Sequence, residues 1–264
     1  MALTRSRAKA IRSLANKKYR DELGAFVVEG LRLMKDAVDS DFEILEAFHT
    51  AEFTKDAAAK AVLEKLQAKC RRVDQVSERE MEHLADSVNA QGVLAVLRQK
   101  RALAASLLDR RDPPPVLVAL DGVADPGNLG SIVRTCDWFG VDGVLLGEHC
   151  VDLYNPKVVR ATMGGLFHLP ISEEVDLLPA ITQAKNKGYT VYITDPAGET
   201  HFDRVRFTRP SLIAFGNEAW GISDQIRKFA DVRVAIRRYG MAESLNVAVA
   251  CGVVLSGLHR LMVE

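Results

Sequence analysis

An α/β fold organised around a mostly parallel sheet, covered on both faces, is the class this sequence predicts, and two observations carry it. The runs VLVAL (116–120), GVLLG (143–147), YTVYIT (189–194), SLIAFG (211–216) and VRVAI (232–236) are short and apolar, with helical patterns between them. Strands that read as near-continuous apolar runs are those buried on both faces, and their alternation with helices is the pattern of parallel crossovers. The second observation is a break in character ahead of that region. RQKRALAASLLDRRDPPP (98–115) is charged and ends in a triple proline that neither a helix nor a central strand accepts. It divides the chain into an N-terminal domain over 1–100, a linker over 101–115 and the α/β domain over 116–264.

The first domain mixes helical and strand-like patterns and closes on QGVLAVL (91–97), a run suited to a buried strand. Its opening is free of acids: residues 1–20 carry Arg5, Arg7, Lys9, Arg12, Lys17, Lys18 and Arg20. Over the whole chain the formal net charge is zero, so this block is a local electrostatic footprint for phosphate. Arg5, Arg7, Arg12, Lys17, Lys18 and Arg20 are therefore expected to contact phosphate. The same Arg-, Ser- and Ala-containing stretch also has the composition of a mitochondrial transit segment. Ile11, Leu14, Leu23, Phe26, Val27 and Val28 carry an apolar pattern on into folded-looking sequence, which favours a cytoplasmic protein.

Apolar residues make up 48%, enough for a sizeable core. No secretory apolar region and no run of about 18 apolar residues occurs, so no membrane partner is expected. Cys70, Cys136, Cys150 and Cys251 show no CxxC pairing; they are expected to be reduced and mostly buried, with no metal site.

Ligands of open parallel sheets gather beyond the carboxyl ends of the strands, so the loops that follow the strands are where chemistry is sought. In DGVADPGNLGSIVRTCDWFG (121–140), Gly127 and Gly130 permit a tight turn and close approach to a ligand. A helix is expected to start near Asn128, with Arg134 within two turns along it. Taken alone, that pair also reads as an Asn cap and a solvated Arg. A phosphate-cradling loop would need GxGxxG or GxxxxGK[ST] spacing, and neither is present. FGNEAWGIS (215–223) sets Asn217 and Glu218 between glycines, although a turn needs no carboxylate. GMAESLNVAVACGVVL (240–255) stacks Glu243, Ser244 and Asn246 ahead of a helix-like apolar tail, where capping uses a single polar side chain. Each loop alone favours ordinary turn chemistry. The coincidence of all of them in one domain does not.

In order and spacing these residues resemble the three motifs of the SpoU/TrmH group of RNA ribose 2′-O-methyltransferases, of the SPOUT superfamily. The first is N-x-G-x-x-x-R-T (Asn128, Gly130, Arg134, Thr135), the second G-N-E-x-x-G-I (216–222) and the third E-S-L-N-V (243–247), with NPKVVRATMGGLFHLP (155–170) between. The resemblance covers 116–264. More loosely, IRSLANKKYRDELGAFVVEGLRLMKDAV (11–38) is similar to the opening of that group's ribosomal-protein-like substrate domain. The likeness implies a trefoil-knotted α/β methyltransferase domain preceded by a smaller α/β RNA-binding domain. It further implies a homodimer, with S-adenosylmethionine bound in the knot.

Carried over residue by residue, the resemblance places Arg134 at the ribose hydroxyl, with Asn128 and Glu218 holding it. Ser244 and Asn246 complete the polar wall. Gly216, Ile236 and Leu245 line the cofactor pocket, with Thr194 near it. Structured RNA is the implied partner, ribosomal RNA favoured over transfer RNA, and the chemistry requires no metal. Arg237 and Arg238 follow Ile236 where family members usually have Pro and Met, and Ala248 stands where many have Ser. Those arginines contact RNA phosphate or the cofactor carboxylate, or are simply solvated. A rival reading keeps the fold and RNA binding without catalysis; a nucleotide-dependent oxidoreductase lacks the glycine fingerprint.

Overall fold

The computed structural model describes residues 3–86, 90–109 and 112–262, with side chains described as far as position 257. Arg110 and Arg111 of the expected linker lie outside the described residues, as do the side chains at the end of the apolar tail. The chain forms two compact units: Met1–Lys100 with Asp152–His168, and Arg101–Val151 with Leu169–Glu264.

The first unit runs α1 (Arg5–Ser13), α2 (Lys17–Leu23), β1 (Ala25–Glu29), α3 (Leu31–Asp39), β2 (Ile44–His49), α4 (Ala57–Lys69), β3 (Val73–Gln75), α5 (Glu78–Leu84) and β4 (Val93–Arg98). Its sheet has the order β1-β4-β2-β3, with β4 antiparallel to β1 and β2, and β3 parallel to β2. Thr4 caps α1 and Ser77 forms a reciprocal capping box with Glu80 on α5. Ala8, Ile11 and Leu14 then meet Met81 and Leu84 over Phe48, Leu94 and Val96, which makes one face of the sheet the core.

The acid-free opening does not stay a uniform basic face. Arg7 turns inward over the Phe48 ring, 4.7 Å from its centroid, and donates to Glu46 at 2.6 Å and Asp74 at 2.9 Å. Burial works to raise the Asp74 carboxyl and is the largest single effect on it, but the hydrogen bonds and positive charges around it, those of Arg7 among them, together hold the group below the usual carboxylate range. Arg20 is only 2% exposed. It donates to the carbonyls of Leu14 and Ala15 at 2.7 and 2.8 Å and pairs with Asp152. These two arginines are therefore committed to folding the unit, a correction to their expected place on the RNA surface. Removing one member of a buried pair leaves the other desolvated and alone, at a cost of about 3 kcal/mol. Arg20→Ala is expected to lower stability by that amount in urea titration; a loss below about 1 kcal/mol, the scale of an exposed pair, would contradict the assignment.

The segment Asp152–His168 packs in this unit. It contains α8 (Pro156–Ala161), and its Tyr154 hydroxyl donates to the Lys100 carbonyl at 2.6 Å while its ring lies 4.5 Å from that of Phe26. Arg160 pairs with Asp86 at 2.9 Å.

The second unit begins with α6 (Ala104–Leu107), inside the stretch expected as linker. It continues through β5 (Val116–Asp121), α7 (Pro126–Trp138), β6 (Gly143–Gly147), β7 (Ile171–Val175), α9 (Leu177–Asn186), β8 (Thr190–Thr194), β9 (Thr200–His201), β10 (Ser211–Gly216), α10 (Asp224–Arg227), β11 (Val232–Ala235) and α11 (Val247–Met262). The sheet order is β7-β6-β5-β10-β8-β11-β9, and every pairing is parallel. The five apolar runs became strands; β7 and β9 were not anticipated. Leu117, Ala119, Leu145, Val191, Ile193, Leu212 and Ala214 form one buried face with Leu107, Ile181 and Ala184. The alternate residues Val118, Leu120, Ile213 and Phe215 are equally buried. Strand side chains alternate between faces, so the sheet is covered on both sides.

Candidate active site

The strand order reverses its sense of progression at β5 and β10. From β5 the chain moves outward to β6 and β7, whereas β8, β9 and β11 lie on the other side of β10. Asp121 and Gly216, the last residues of these two strands, are register partners. A crevice opens beyond such a pair because the following loops depart in opposite directions. Parallel pairing of β8 and β11 places the loop after β11 along the same edge.

The first loop differs locally from the expectation. Asp125, not a residue at 128, caps α7, accepting from the Asn128 amide nitrogen at 2.8 Å, and Pro126 occupies the first turn. The Asn128 side chain is thereby released from capping. Its amide donates to Glu218 Oε1 at 2.7 Å and its carbonyl oxygen accepts from Asn246 Nδ2 at 2.8 Å. Asn246 also caps α11, accepting from the backbone nitrogens of Ala248 and Val249 at 2.9 and 3.3 Å. One side-chain chain thus ties together the three loops that the sequence singled out.

Asn217 explains why the middle loop can hold Glu218 in place. It is buried, donates to the Gly122 carbonyl at 2.6 Å and accepts from the Ala219 nitrogen at 2.7 Å. Its backbone is bridged to Gly221 in both directions, at 3.0 and 2.9 Å. Asp121 accepts from the Ser223 nitrogen at 2.8 Å and closes the turn from the β5 side. The sequence singles out Asn217 in its loop without giving it a role, and Asp121 is not singled out; for Asp121 the available signal is a carboxylate at a strand end beside a glycine. A Cβ on Gly216 would lie 2.1 Å from the Gly221 carbonyl carbon and 2.3 Å from the Ile222 nitrogen, so only glycine allows the turn to fold back.

Arg134 lies on α7 with its side chain exposed, and among the described residues it makes no ion pair. Ser244 and Leu245 are exposed in the irregular stretch 236–246, and Ile236 is half-buried at its start. Residues 237–245 carry no backbone hydrogen bond among the described residues. Arg237 and Arg238 are exposed there, as is Tyr239 at 87%. Thr194 is half-buried at the end of β8 and donates to the Ala214 carbonyl at 3.2 Å. The hydrogen-bonded group is therefore Asn128, Glu218 and Asn246; Arg134 and Ser244 are not bonded to it.

Burial pushes the thiols of Cys70, Cys136 and Cys150 up, which disfavours the nucleophilic thiolate. Among the described residues, no group of three or more His, Cys, Asp or Glu side chains could hold a metal ion, and no helix is long and apolar enough to cross a membrane.

Residues 115–256, a stretch that contains all three loops, match the model of the SpoU rRNA methylase family. The chain belongs to the SpoU family. It is thus an RNA methyltransferase, and residues 5–95 match an MRM3-like substrate-binding domain. An uncharacterized tRNA/rRNA methyltransferase of Synechocystis is 31% identical over 96% of this chain and 90% of its own length. The 23S rRNA (guanosine(2553)-2′-O)-methyltransferase RlmP of Bacillus subtilis is 28% identical, with 94% of each chain covered. The AdoMet-bound rRNA methyltransferase of Sinorhizobium meliloti superposes with a TM-score of 0.86 at 31% identity, over 100% of this chain and 98% of that one.

Proposed function

We propose that this SpoU-family enzyme transfers the methyl group of S-adenosylmethionine to a ribose 2′-hydroxyl of structured RNA in the cytoplasm, with ribosomal RNA favoured over transfer RNA. The observation that carries this reading is the Asn246–Asn128–Glu218 chain at the β5/β10 crevice, which links all three family motifs. The rRNA specificity of the RlmP relative supports the choice of RNA.

The residues suit the cofactor. Ile236 and Leu245 offer apolar surface for a nucleoside, and the unspent backbone groups of 237–245 can hold its polar edge. Gly216 and Thr194 complete that pocket in this reading, within the knotted arrangement of the family. When bound, S-adenosylmethionine supplies an electrophilic sulfonium methyl whose bonding pair returns to sulfur on transfer. Asn128, held from both sides, fixes the geometry needed for in-line attack. Arg134 orients the ribose and its phosphate and stabilises the alkoxide that develops as the hydroxyl proton leaves to water. Ser244 and Asn246 form the remaining polar wall.

Full-length protein with methyl-labelled S-adenosylmethionine should place label in ribosomal RNA as an alkali-resistant dinucleotide, because methylation removes the hydroxyl that alkaline cleavage uses. Label in a base, or in no RNA, would overturn the reading.

A homodimer belongs to the same reading. Trp138 on α7 is 84% exposed and Val249 on α11 is 53% exposed, apolar surface suited to a second copy. Sedimentation is expected at about twice the 29.0 kDa chain mass, shifting toward monomer in Trp138→Glu. A monomeric wild type with full activity would contradict it.

A further inference from the structure

The first unit sorts its early cations into two classes. Arg7 and Arg20 are spent on Glu46, Asp74 and Asp152. Lys17 and Lys18 pair along α2 with Asp21 at 3.1 Å and Glu22 at 3.9 Å. Arg5, Lys9 and Arg12 remain, exposed and without a carboxylate partner among the described residues. Their spacing of four and then three residues puts them on one face of α1. Like charges so spaced repel, and only Arg12, in the last turn of α1, gains from the helix dipole.

A fourth cation joins them from a distant part of the sequence. Arg79 on α5 shares with α1 a groove of about 1000 Å³, to which Tyr19 contributes an aromatic ring, 40% exposed. The carboxylate at this groove, Glu80, is occupied by the backbone and hydroxyl of Ser77 at 2.8 and 2.7 Å. Arg12 also lies 3.4 Å from the His83 ring nitrogens. A convergent cation set, a single committed acid and an exposed ring fit a polyanion that carries flat bases.

We infer that the α1–α5 groove is the surface on which this enzyme grips its RNA. Arg5, Lys9, Arg12 and Arg79 engage backbone phosphates, and Tyr19 stacks on an unpaired base. This rests on the proposed RNA methyltransferase activity and places the grip on four particular cations. It excludes Arg7 and Arg20, and it gives Lys17 and Lys18 a minor part.

The test uses full-length protein and a transcribed ribosomal RNA fragment that the wild type methylates, with affinity measured across a salt series. Neutralising all four groove cations to Gln should weaken binding at every sequence tried. The slope of log affinity against log salt should shrink by about 0.7 to 0.9 for each phosphate that is no longer neutralised. Arg5→Lys, Arg12→Lys and Arg79→Lys together should restore the slope, since a phosphate interaction survives exchange of one cation for another. Tyr19→Ala should reduce affinity about tenfold without changing the slope, and Tyr19→Phe should recover it. Lys17→Gln with Lys18→Gln should alter the slope far less than the groove variant. An unchanged slope in the four-cation variant, with thermal melting and S-adenosylmethionine binding intact, would overturn the groove while leaving the activity standing. A wild type that binds and methylates no RNA would overturn both.

Discussion

Arg134→Ala is expected to lower methyl transfer by about 10³-fold while S-adenosylmethionine affinity stays nearly intact, because the role proposed for it is confined to the reacting hydroxyl. The physical question is whether the guanidinium takes the proton or only directs its departure. Guanidinium groups are strongly basic and remain charged in proteins. Acting as a base would require strong desolvation, and this side chain is exposed on α7. The planar fork is suited to hold a ribose and its phosphate. Arg134→Lys separates the alternatives. Loss of the fork leaves low activity that is flat with pH. Strong activity rising through a single pKa below about 9, well under that of free lysine, would show that the charged-orienter account is wrong.

Gly216→Ala is expected to be nearly as damaging, and by a different route. Its added methyl would meet backbone atoms 2.1 and 2.3 Å away, so no side-chain rotation relieves the overlap. The turn must open, at a cost of about 3 kcal/mol. Opening separates Asn217 from Gly122 and carries Glu218 away from Asn128, partners now held at 2.6 and 2.7 Å. If that cost falls on the bound state, cofactor affinity drops roughly a hundredfold. Calorimetric titration with S-adenosylmethionine, together with thermal melting, measures both parts. Wild-type affinity in a variant that melts normally would mean that the turn does not shape the cofactor site.

The places where expectation and structure part have a common cause. Asn128 looked like a helix cap because Asn, Asp and Ser are interchangeable signals at that position, and Asp125 lies only three residues earlier. The acid-free opening looked uniformly basic because the carboxylates that claim Arg7 lie 39 and 67 residues away, and the one that claims Arg20 lies 132 away. The stretch 101–115 reads as charged linker, yet its Leu107 and Leu108 are 2% and 0% exposed in the core of the second unit. Short apolar pairs amid charge carry too little periodicity to announce burial.

The sequence by itself determined the parallel α/β sheet, the loops at which to look, and the family. Each of those is written in local runs: apolar stretches of strand length, glycines at strand ends, and motifs of a few residues in order. Only the tertiary structure decided which polar groups meet. Asn128 finds Glu218 across 90 residues and Asn246 across 118, because parallel crossovers return separate loops to one sheet edge. It also decided which cations remain available for RNA, since that depends on pairings whose partners no local pattern specifies.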